Sequence, residues 1–220
     1  MGIDLGIRNP ATASINDIEH SVIFIGNPEE ILHFERQMES RKKRVQKSRR
    51  WAGSGSVGHG TKTRIKPLDK LRNTIANYKN EKNHLWGKFI VNEAIKNEVE
   101  TIQMENLAHI STQNKFLKRW TYYDLQEKIK YKAKKVGIHV IKVTPAYTSA
   151  RCNRCGAIHR HQDKKIWRKN TSSFHCMNCG HQDHADANAS KNLSMKEIDK
   201  IIQAEKSSWF EKFNKSFPLK

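Results

Sequence analysis

The chain has 220 residues, of which 41 are lysine or arginine and 22 are aspartate or glutamate, giving a formal net charge of +19. Hydrophobic residues make up 36%, which supports one core of moderate size and excludes a large enzyme with two full cores. So large a positive charge would repel itself in a compact fold unless a polyanion shares the surface. Nucleic acid is therefore the first partner to consider, and a membrane surface is the competing interpretation. The sequence shows no run of about 18 apolar residues and no signal-peptide pattern, which predicts a soluble cytoplasmic protein.

The amino-terminal part of the sequence predicts three short strands. Ile3, Leu5 and Ile7 alternate with glycine and aspartate, a period typical of a strand. Residues 11–15 and 21–25 are two further strand candidates, and three successive short strands indicate an antiparallel meander. A basic helix is predicted over residues 35–51, followed by a flexible loop rich in glycine and serine.

Helix and strand alternate through the rest of the chain. Apolar residues spaced by three and four predict a long amphipathic helix over 68–97 and a second helix over 120–136. Strands are predicted over 99–104 and 138–143, and a last helix over 186–204. Strands first, then alternating helix and strand, predict an α/β fold with a mixed sheet flanked by helices.

Four cysteines form two C-x-x-C pairs with twenty residues between them: Cys152, Cys155, Cys176 and Cys179. In an intracellular chain this spacing predicts a structural zinc site made of four thiolates. Gly156 and Gly180 follow the two pairs, where a permissive backbone lets each turn tighten. Two disulfides or a redox motif are the alternatives, and both fit poorly with a chain that lacks an export signal. Because thiolates already fill the site, the nearby histidines are expected to face solvent or contact phosphate: His159, His161, His175 and His181.

Three carboxylates lie among apolar residues. Asp4 is within the first predicted strand, Glu105 follows the strand over 99–104, and Asp186 begins the last helix. A buried carboxylate is costly unless it is paired or bound to metal. Brought together, three of them would bind two magnesium ions, which activate a water and stabilise the leaving oxygen of a phosphodiester. Taken singly, Asp186 could cap its helix, and Glu105 could be exposed at an edge.

Several segments, taken together and in this order, resemble one family. They are Met-Gly-Ile-Asp-Leu-Gly at 1–6, Thr-Ile-Gln-Met-Glu-Asn-Leu at 101–107, Trp-Thr-Tyr-Tyr-Asp-Leu-Gln at 120–126, and Ala-Asp-Ala-Asn-Ala-Ser-Lys-Asn-Leu at 185–193 after the cysteine pairs. The combination resembles the RuvC-type nuclease half of the compact type V CRISPR effectors and of the transposon-encoded TnpB nucleases. It implies an RNase H-like (RuvC) fold with a small inserted zinc ribbon.

The resemblance also implies roles for the site residues. Asp4, Glu105 and Asp186 match the family's three magnesium-binding catalytic acids, with Asp183 as the rival for the third position. The four cysteines match the zinc ligands of the family's target-nucleic-acid-binding module. The implied activity is RNA-guided cleavage of DNA, with DNA and guide RNA as partners.

Eight basic residues are the candidate nucleic-acid contacts: Arg41, Lys42, Lys43, Arg44, Arg49, Arg50, Arg151 and Arg154. The first six lie in the basic helix, whose binding to phosphates should weaken steeply with salt. The other two belong to the basic zinc module. In the same module Trp167 and Phe174 are candidates for stacking on bases, with packing in the core of the ribbon as the alternative.

The predicted domains are a nuclease domain at 1–148 with a helical insertion over about 36–98, the zinc ribbon at 149–181, the end of the nuclease domain at 182–204, and a tail at 205–220. Because the family carries a guide-binding half before the first acid, we expect a fragment or a truncated gene, or else a chain completed by another polypeptide or a homodimer partner. The alternative function is a catalytically silent, truncated DNA- or RNA-binding protein of the same family. A stand-alone junction resolvase fits less well, because the zinc ribbon precedes the last acid.

Overall fold

The computed structural model describes residues 1–6, 9–16, 21–48, 61–107, 121–144 and 147–205. The chain divides into two compact units. One unit comprises Met1–Gly26 and Trp86–Lys220, and the other comprises Asn27–Leu85. The domain limits expected from the sequence follow function rather than compactness, and they stay a prediction. The predicted glycine- and serine-rich loop and nearly all of the predicted tail lie outside the described residues.

The larger unit is built on a five-stranded mixed sheet. Its strands are β1 (Gly2–Asp4), β2 (Ala11–Ser14), β3 (Val22–Ile25), β4 (Thr101–Glu105) and β5 (His139–Val143), in the order β3-β2-β1-β4-β5. The first three strands form the predicted antiparallel meander, and β4 runs parallel to both β1 and β5. Ile3, Ala13, Ile102 and Met104 are fully buried in the core. The predicted α/β architecture is confirmed.

The helices are α1 (Pro28–Ser48), α2 (Thr61–Lys96), α3 (Tyr122–Lys135), α4 (Lys164–Trp167) and α5 (Ala185–Ser194), and residues 198–205 are also helical. α3 packs beside β5, whereas α5 packs on β1, β2 and β4. The prediction of one helix over 186–204 is wrong. The backbone of Met195 is extended and Glu197 has a φ of 55°, and together these two residues interrupt the helix.

In the smaller unit, α1 begins before the predicted basic segment. The Asn27 side chain accepts a hydrogen bond from the Glu29 amide at 2.9 Å, and a proline occupies the first helical position. This is a favourable helix start, because the first amide groups have no partners within the helix. Within this unit the ring of Phe34 stacks on Tyr78 at 3.8 Å between centroids, which pairs α1 with α2.

The two cysteine pairs belong to a small ribbon. Its hairpin consists of β6 (Ser173–His175) and β7 (Gln182–His184), which are antiparallel. Trp167 and Phe174 are buried in its core, so the packing alternative is correct for both, and base stacking by these rings is wrong. His159 is also buried and packs against both rings, because the ribbon has few other apolar side chains to cover them. The expectation that His159 faces solvent is therefore wrong.

Candidate functional site

The three predicted carboxylates converge at one end of the sheet. Asp4 ends β1 and Glu105 ends β4. These strands are parallel neighbours with Ile3 opposite Met104, so the two acids follow at the next position of each strand. Asp186 lies in the first turn of α5, the helix that packs on β1. Three residues that are distant in sequence are thus brought to one place.

Electrostatics within this carboxylate centre favour a bound cation. Burial raises the pKa of Asp4 well above its ordinary value of 3.8, and the carboxylates of Glu105 and Asp186 raise it further. Burial also raises the pKa of Glu105. Such shifts mean that the ionised acids are under-compensated by their surroundings. Oxygen ligands of this kind suit Mg²⁺, which would relieve the repulsion, so the residues present fit the metal.

Neighbouring polar groups hold the carboxylates in place. The Thr148 hydroxyl donates a hydrogen bond to the Glu105 carboxylate, and the Asn9 amide donates to Asp186 Oδ2 at 3.3 Å. The Gln126 amide donates to the Glu105 carbonyl at 2.6 Å. These three donors were not predicted from the sequence, although Gln126 belongs to a segment that carries the family resemblance.

Tyr122 and Arg168 were also missed and lie close to the acids. The Tyr122 hydroxyl donates to the Gly6 carbonyl at 2.7 Å. Burial, together with Asp4 and Asp186, raises the pKa of Tyr122 to about 12. Arg168 comes from the ribbon, and its charge lowers the pKa of Asp4. No local sequence signal marks Arg168, because only the fold of the ribbon brings it near β1.

At the start of α5, Asp186 and Asp183, the alternative third acid, have different environments. His184 is the cap of the helix, and its Nδ1 accepts a hydrogen bond from the Asp186 amide at 3.3 Å. The Asp186 side chain is therefore not the cap. Asp183 instead pairs with Lys191 at 2.8 Å and lies 3.7 Å from His181. The rival acid is thus engaged in a separate ion pair.

The four cysteine sulfurs form a second centre. All of them lie within 4.8 Å of one another, with 3.9 Å between Cys152 and Cys179 and 3.6 Å between Cys155 and Cys176. A tetrahedral zinc ion with Zn–S distances of about 2.3 Å places its sulfurs about 3.8 Å apart. All four cysteines are free thiols. The cluster therefore fits a metal ion and does not show the predicted alternative of two disulfides.

The backbone at each cysteine pair has the geometry that the sequence predicted. Gly156 and Gly180 have φ angles of 78° and 71°, in the left-handed region that favours glycine. The amides of these glycines donate to the carbonyls of Cys152 and Cys176 at 2.9 and 3.0 Å. Each pair thus lies on a tight turn that directs two sulfurs to one point.

The thiols differ in how readily they ionise. Burial raises the pKa of both Cys152 and Cys176. Burial acts in the same direction on Cys155, but hydrogen bonds from the Ala157 amide and the Asn178 side chain lower its pKa to about 7. A bound cation favours the thiolate form of every ligand, so metal occupancy would remove these differences.

The candidate nucleic-acid contacts have different environments. Arg41, Lys42, Lys43 and Arg44 are exposed on α1, Arg154 is exposed on the ribbon, and Arg49 and Arg50 lie outside the described residues. Arg151 is only 4% exposed, and its guanidinium donates to Glu205 at 2.6 and 2.7 Å and to Asn192 at 2.8 Å. The prediction of Arg151 as a nucleic-acid contact is therefore wrong, since its donors are occupied inside the protein. Within the described part of the chain, no helix has the length and apolar character needed to cross a membrane.

The strand order and the site together define a class of protein. A sheet in the order β3-β2-β1-β4-β5, with acids at the ends of two central strands and on the helix that covers them, defines an RNase H-like fold of the RuvC type. A family model described as "Cas12f1-like, TNB domain" matches residues 122–193. The chain is thus similar to the compact type V CRISPR effectors and to TnpB-like proteins.

Individual relatives show the same similarity. The CRISPR-associated endodeoxyribonuclease Cas12f1 of Sulfoacidibacillus thermotolerans is 43% identical over 203 residues, which are 92% of this chain and 46% of the relative. A TnpB-like protein of Methanocaldococcus jannaschii is 34% identical over 124 residues, 53% of this chain and 42% of the relative. A cryo-EM structure of a Cas12f1–sgRNA–target DNA complex aligns with a TM-score of 0.69 and 28% identity, covering 88% of this chain and 48% of that one. The chain thus spans about half the length of the curated relatives it matches.

Proposed function

We propose that this chain is the nuclease half of an RNA-guided DNA endonuclease that hydrolyses DNA phosphodiesters by a two-metal mechanism. The observation that carries the proposal is the convergence of Asp4, Glu105 and Asp186. Burial raises the pKa of Asp4, and the charges of Glu105 and Asp186 raise it further. The relative named as an endodeoxyribonuclease supports the same reaction. The similar structure, a complex with sgRNA and target DNA, supports guide RNA and DNA as the partners.

The residues of the carboxylate centre have distinct roles in this proposal. Asp4, Glu105 and Asp186 would hold two Mg²⁺ ions, which would supply activation of a water and charge stabilisation at the leaving oxygen. Thr148 and Asn9 orient the carboxylates of Glu105 and Asp186 through their hydrogen bonds. Arg168 places a positive charge beside Asp4, where it attracts the phosphate of the scissile strand.

The four cysteines hold a structural Zn²⁺ ion in this proposal. Zinc with four thiolates has no open position and supplies folding energy rather than chemistry. The exposed side of the ribbon, with Arg154, contacts the DNA strand. The exposed cations of α1, Arg41 to Arg44, contact phosphates of DNA or guide RNA through charge.

The proposal is tested by DNA cleavage with matched acid variants. Labelled single-stranded DNA is incubated with the purified chain and Mg²⁺, and then with the chain assembled with guide RNA and an amino-terminal half supplied in trans. We expect cleavage that EDTA and Asp4→Ala both abolish, while DNA binding is retained. Asp183→Asn is the control, because its carboxylate pairs with Lys191, and it should keep most of the activity.

Two results would contradict the proposal. Cleavage that survives in Asp4→Ala would show that the acid is not catalytic. Salt-sensitive binding without cleavage in both preparations would support the alternative, a catalytically silent nucleic-acid-binding protein.

A further inference from the structure

The first cysteine pair is tied to the helix that carries Asp186. The Asn188 side chain donates to the Arg151 carbonyl at 2.8 Å and accepts from the Asn153 amide at 3.0 Å. These two peptide groups flank Cys152, so one asparagine of α5 holds the backbone on both sides of a cysteine ligand. Asn188 follows Asp186 by two positions on the same helix.

A second asparagine of α5 repeats the connection one turn later. The Asn192 side chain donates to the carbonyls of Thr148 and Arg151 at 2.9 and 2.7 Å, and it accepts from the Arg151 guanidinium at 2.8 Å. Glu205 holds the other side of that guanidinium. The segment 148–153 is thus bonded to α5 along its length.

The same segment also contacts Glu105, the acid at the end of β4. Thr148 donates its hydroxyl to the Glu105 carboxylate while its carbonyl accepts from Asn192. Asn188, Asn192 and Thr148 are all 0% exposed. Buried polar groups that lose their partners destabilise a protein, so segment 148–153 and α5 are expected to move together.

We propose that Asn188 and Asn192 are positioning residues that couple the two metal centres. Metal bound by the four cysteines immobilises segment 148–153. Through the asparagines and Thr148, this segment then sets the positions of Asp186 and Glu105 for binding a divalent cation. The inference rests on the proposed function, because it assumes that the carboxylate centre binds metal.

A purely structural role for the asparagines predicts something different. In that case Asn188→Ala would lower the free energy of unfolding. The metal affinity of the carboxylate centre would depend on zinc occupancy in the variant in the same way as in the wild type. Coupling predicts that loss of zinc and loss of Asn188 have the same effect on that affinity and do not add. Metal affinity measured with and without zinc therefore separates the two roles.

The experiment measures Mn²⁺ binding to the full 220-residue chain by electron paramagnetic resonance of free Mn²⁺, with zinc content measured in parallel. Asp4→Ala identifies the Mn²⁺ bound at the carboxylate centre. Wild type, Asn188→Ala and Ser190→Ala are compared with zinc bound and after zinc is stripped. Ser190 is the matched control because it is equally buried on α5, but its hydroxyl donates to the Ala187 carbonyl of the same helix and, among the residues that the structure describes, to no other group.

We expect Asn188→Ala to lower the Mn²⁺ affinity about tenfold, the lower end of the roughly 10- to 100-fold loss found when residues that orient metal ligands are removed. Zinc-stripped wild type should show a similar loss, zinc-stripped Asn188→Ala no further loss, and zinc-loaded Ser190→Ala no change. Wild-type affinity in zinc-loaded Asn188→Ala would overturn the coupling. Unchanged Mn²⁺ affinity in the zinc-stripped wild type would also overturn the coupling. This second test needs no substitution, so it remains valid even if Asn188→Ala does not fold. Absence of any Mn²⁺ binding sensitive to Asp4→Ala would instead refute the proposed metal centre, and the coupling with it.

Discussion

The contact between β1 and α5 makes a specific prediction for Gly2. A Cβ atom at this position would lie 2.1 Å from the Ser194 nitrogen and 2.4 Å from both Leu193 C and the Ser190 carbonyl oxygen. All three are backbone atoms, so no side chain can move aside. Gly2 is also paired with strands on both sides, opposite Ser14 and Gln103, which prevents β1 from shifting alone.

The magnitude follows from these distances. Ordinary van der Waals contact begins at 3.4 Å, so Gly2→Ala requires α5 to move away from β1 by about 1.3 Å, the difference between 3.4 and 2.1 Å. Overpacking of this kind destabilises a protein by about 1–3 kcal/mol. Because α5 carries Asp186 and β1 carries Asp4, the acids separate as well, and a misplacement of about 1 Å can lower a rate about 100-fold.

Urea denaturation and Mn²⁺ binding of the purified chain check this prediction. Gly87→Ala is the control, since its new Cβ would lie 3.5 Å from the nearest atom, in Lys128, and alanine favours a helix interior. We expect Gly2→Ala to lose stability and metal affinity, and Gly87→Ala to retain both. A Gly2→Ala variant as stable as wild type, with intact Mn²⁺ binding, would refute the close approach of β1 and α5.

Three further predictions concern charge and metal. Burial and its acidic neighbours raise the pKa of Asp4 in the folded state above the ordinary value of 3.8, so the folded state holds the carboxyl proton more tightly than the unfolded state. In the metal-free chain, the free energy of unfolding should therefore fall as the pH rises from 3.8 through the raised pKa. Asp4→Asn should therefore melt at a higher temperature than wild type at pH 7 without divalent cation, and identical melting curves would contradict this. Cys176→Ser should reduce bound zinc below one ion per chain and expose the amides of β6 to hydrogen exchange; full retention of zinc would argue against the four-cysteine site. The last prediction replaces four exposed cations of α1 with glutamine: Arg41, Lys42, Lys43 and Arg44. The slope of log affinity for single-stranded DNA against log salt concentration should become shallower by up to about 3. An unchanged slope would exclude α1 as a contact.

Elements with a clear local pattern were predictable from the sequence. The alternation around Ile3 predicted β1, and the spacing of apolar residues predicted α3 within two residues at its start. The C-x-x-C pairs with their glycines predicted both the clustering of the sulfurs and the left-handed turns. These features depend on a few neighbouring residues, whose backbone preferences and periodicity are written locally.

Arg151, His159 and Trp167 were harder to place. A basic ribbon suggests exposed arginine, but Arg151 is buried because Glu205, 54 positions away, neutralises it. His159 and Trp167 fill a ribbon whose core is too small to be closed by aliphatic side chains alone. Burial of a polar or aromatic residue depends on its partners, and these partners come from distant parts of the chain.

The sequence by itself determined the five strands of the sheet, helix α3, the basic charge, the two cysteine pairs and the carboxylates that are candidate metal ligands, because each of these is a property of residue type and spacing. Only the tertiary structure decided that Asp4, Glu105 and Asp186 meet at one end of the sheet, and that Arg168 and Tyr122 lie beside them. It alone also revealed the asparagine contacts from α5 to the first cysteine pair. The physical reason is that buried hydrogen bonds and charge pairs are set by the packing of strands and helices, which short sequence patterns do not encode.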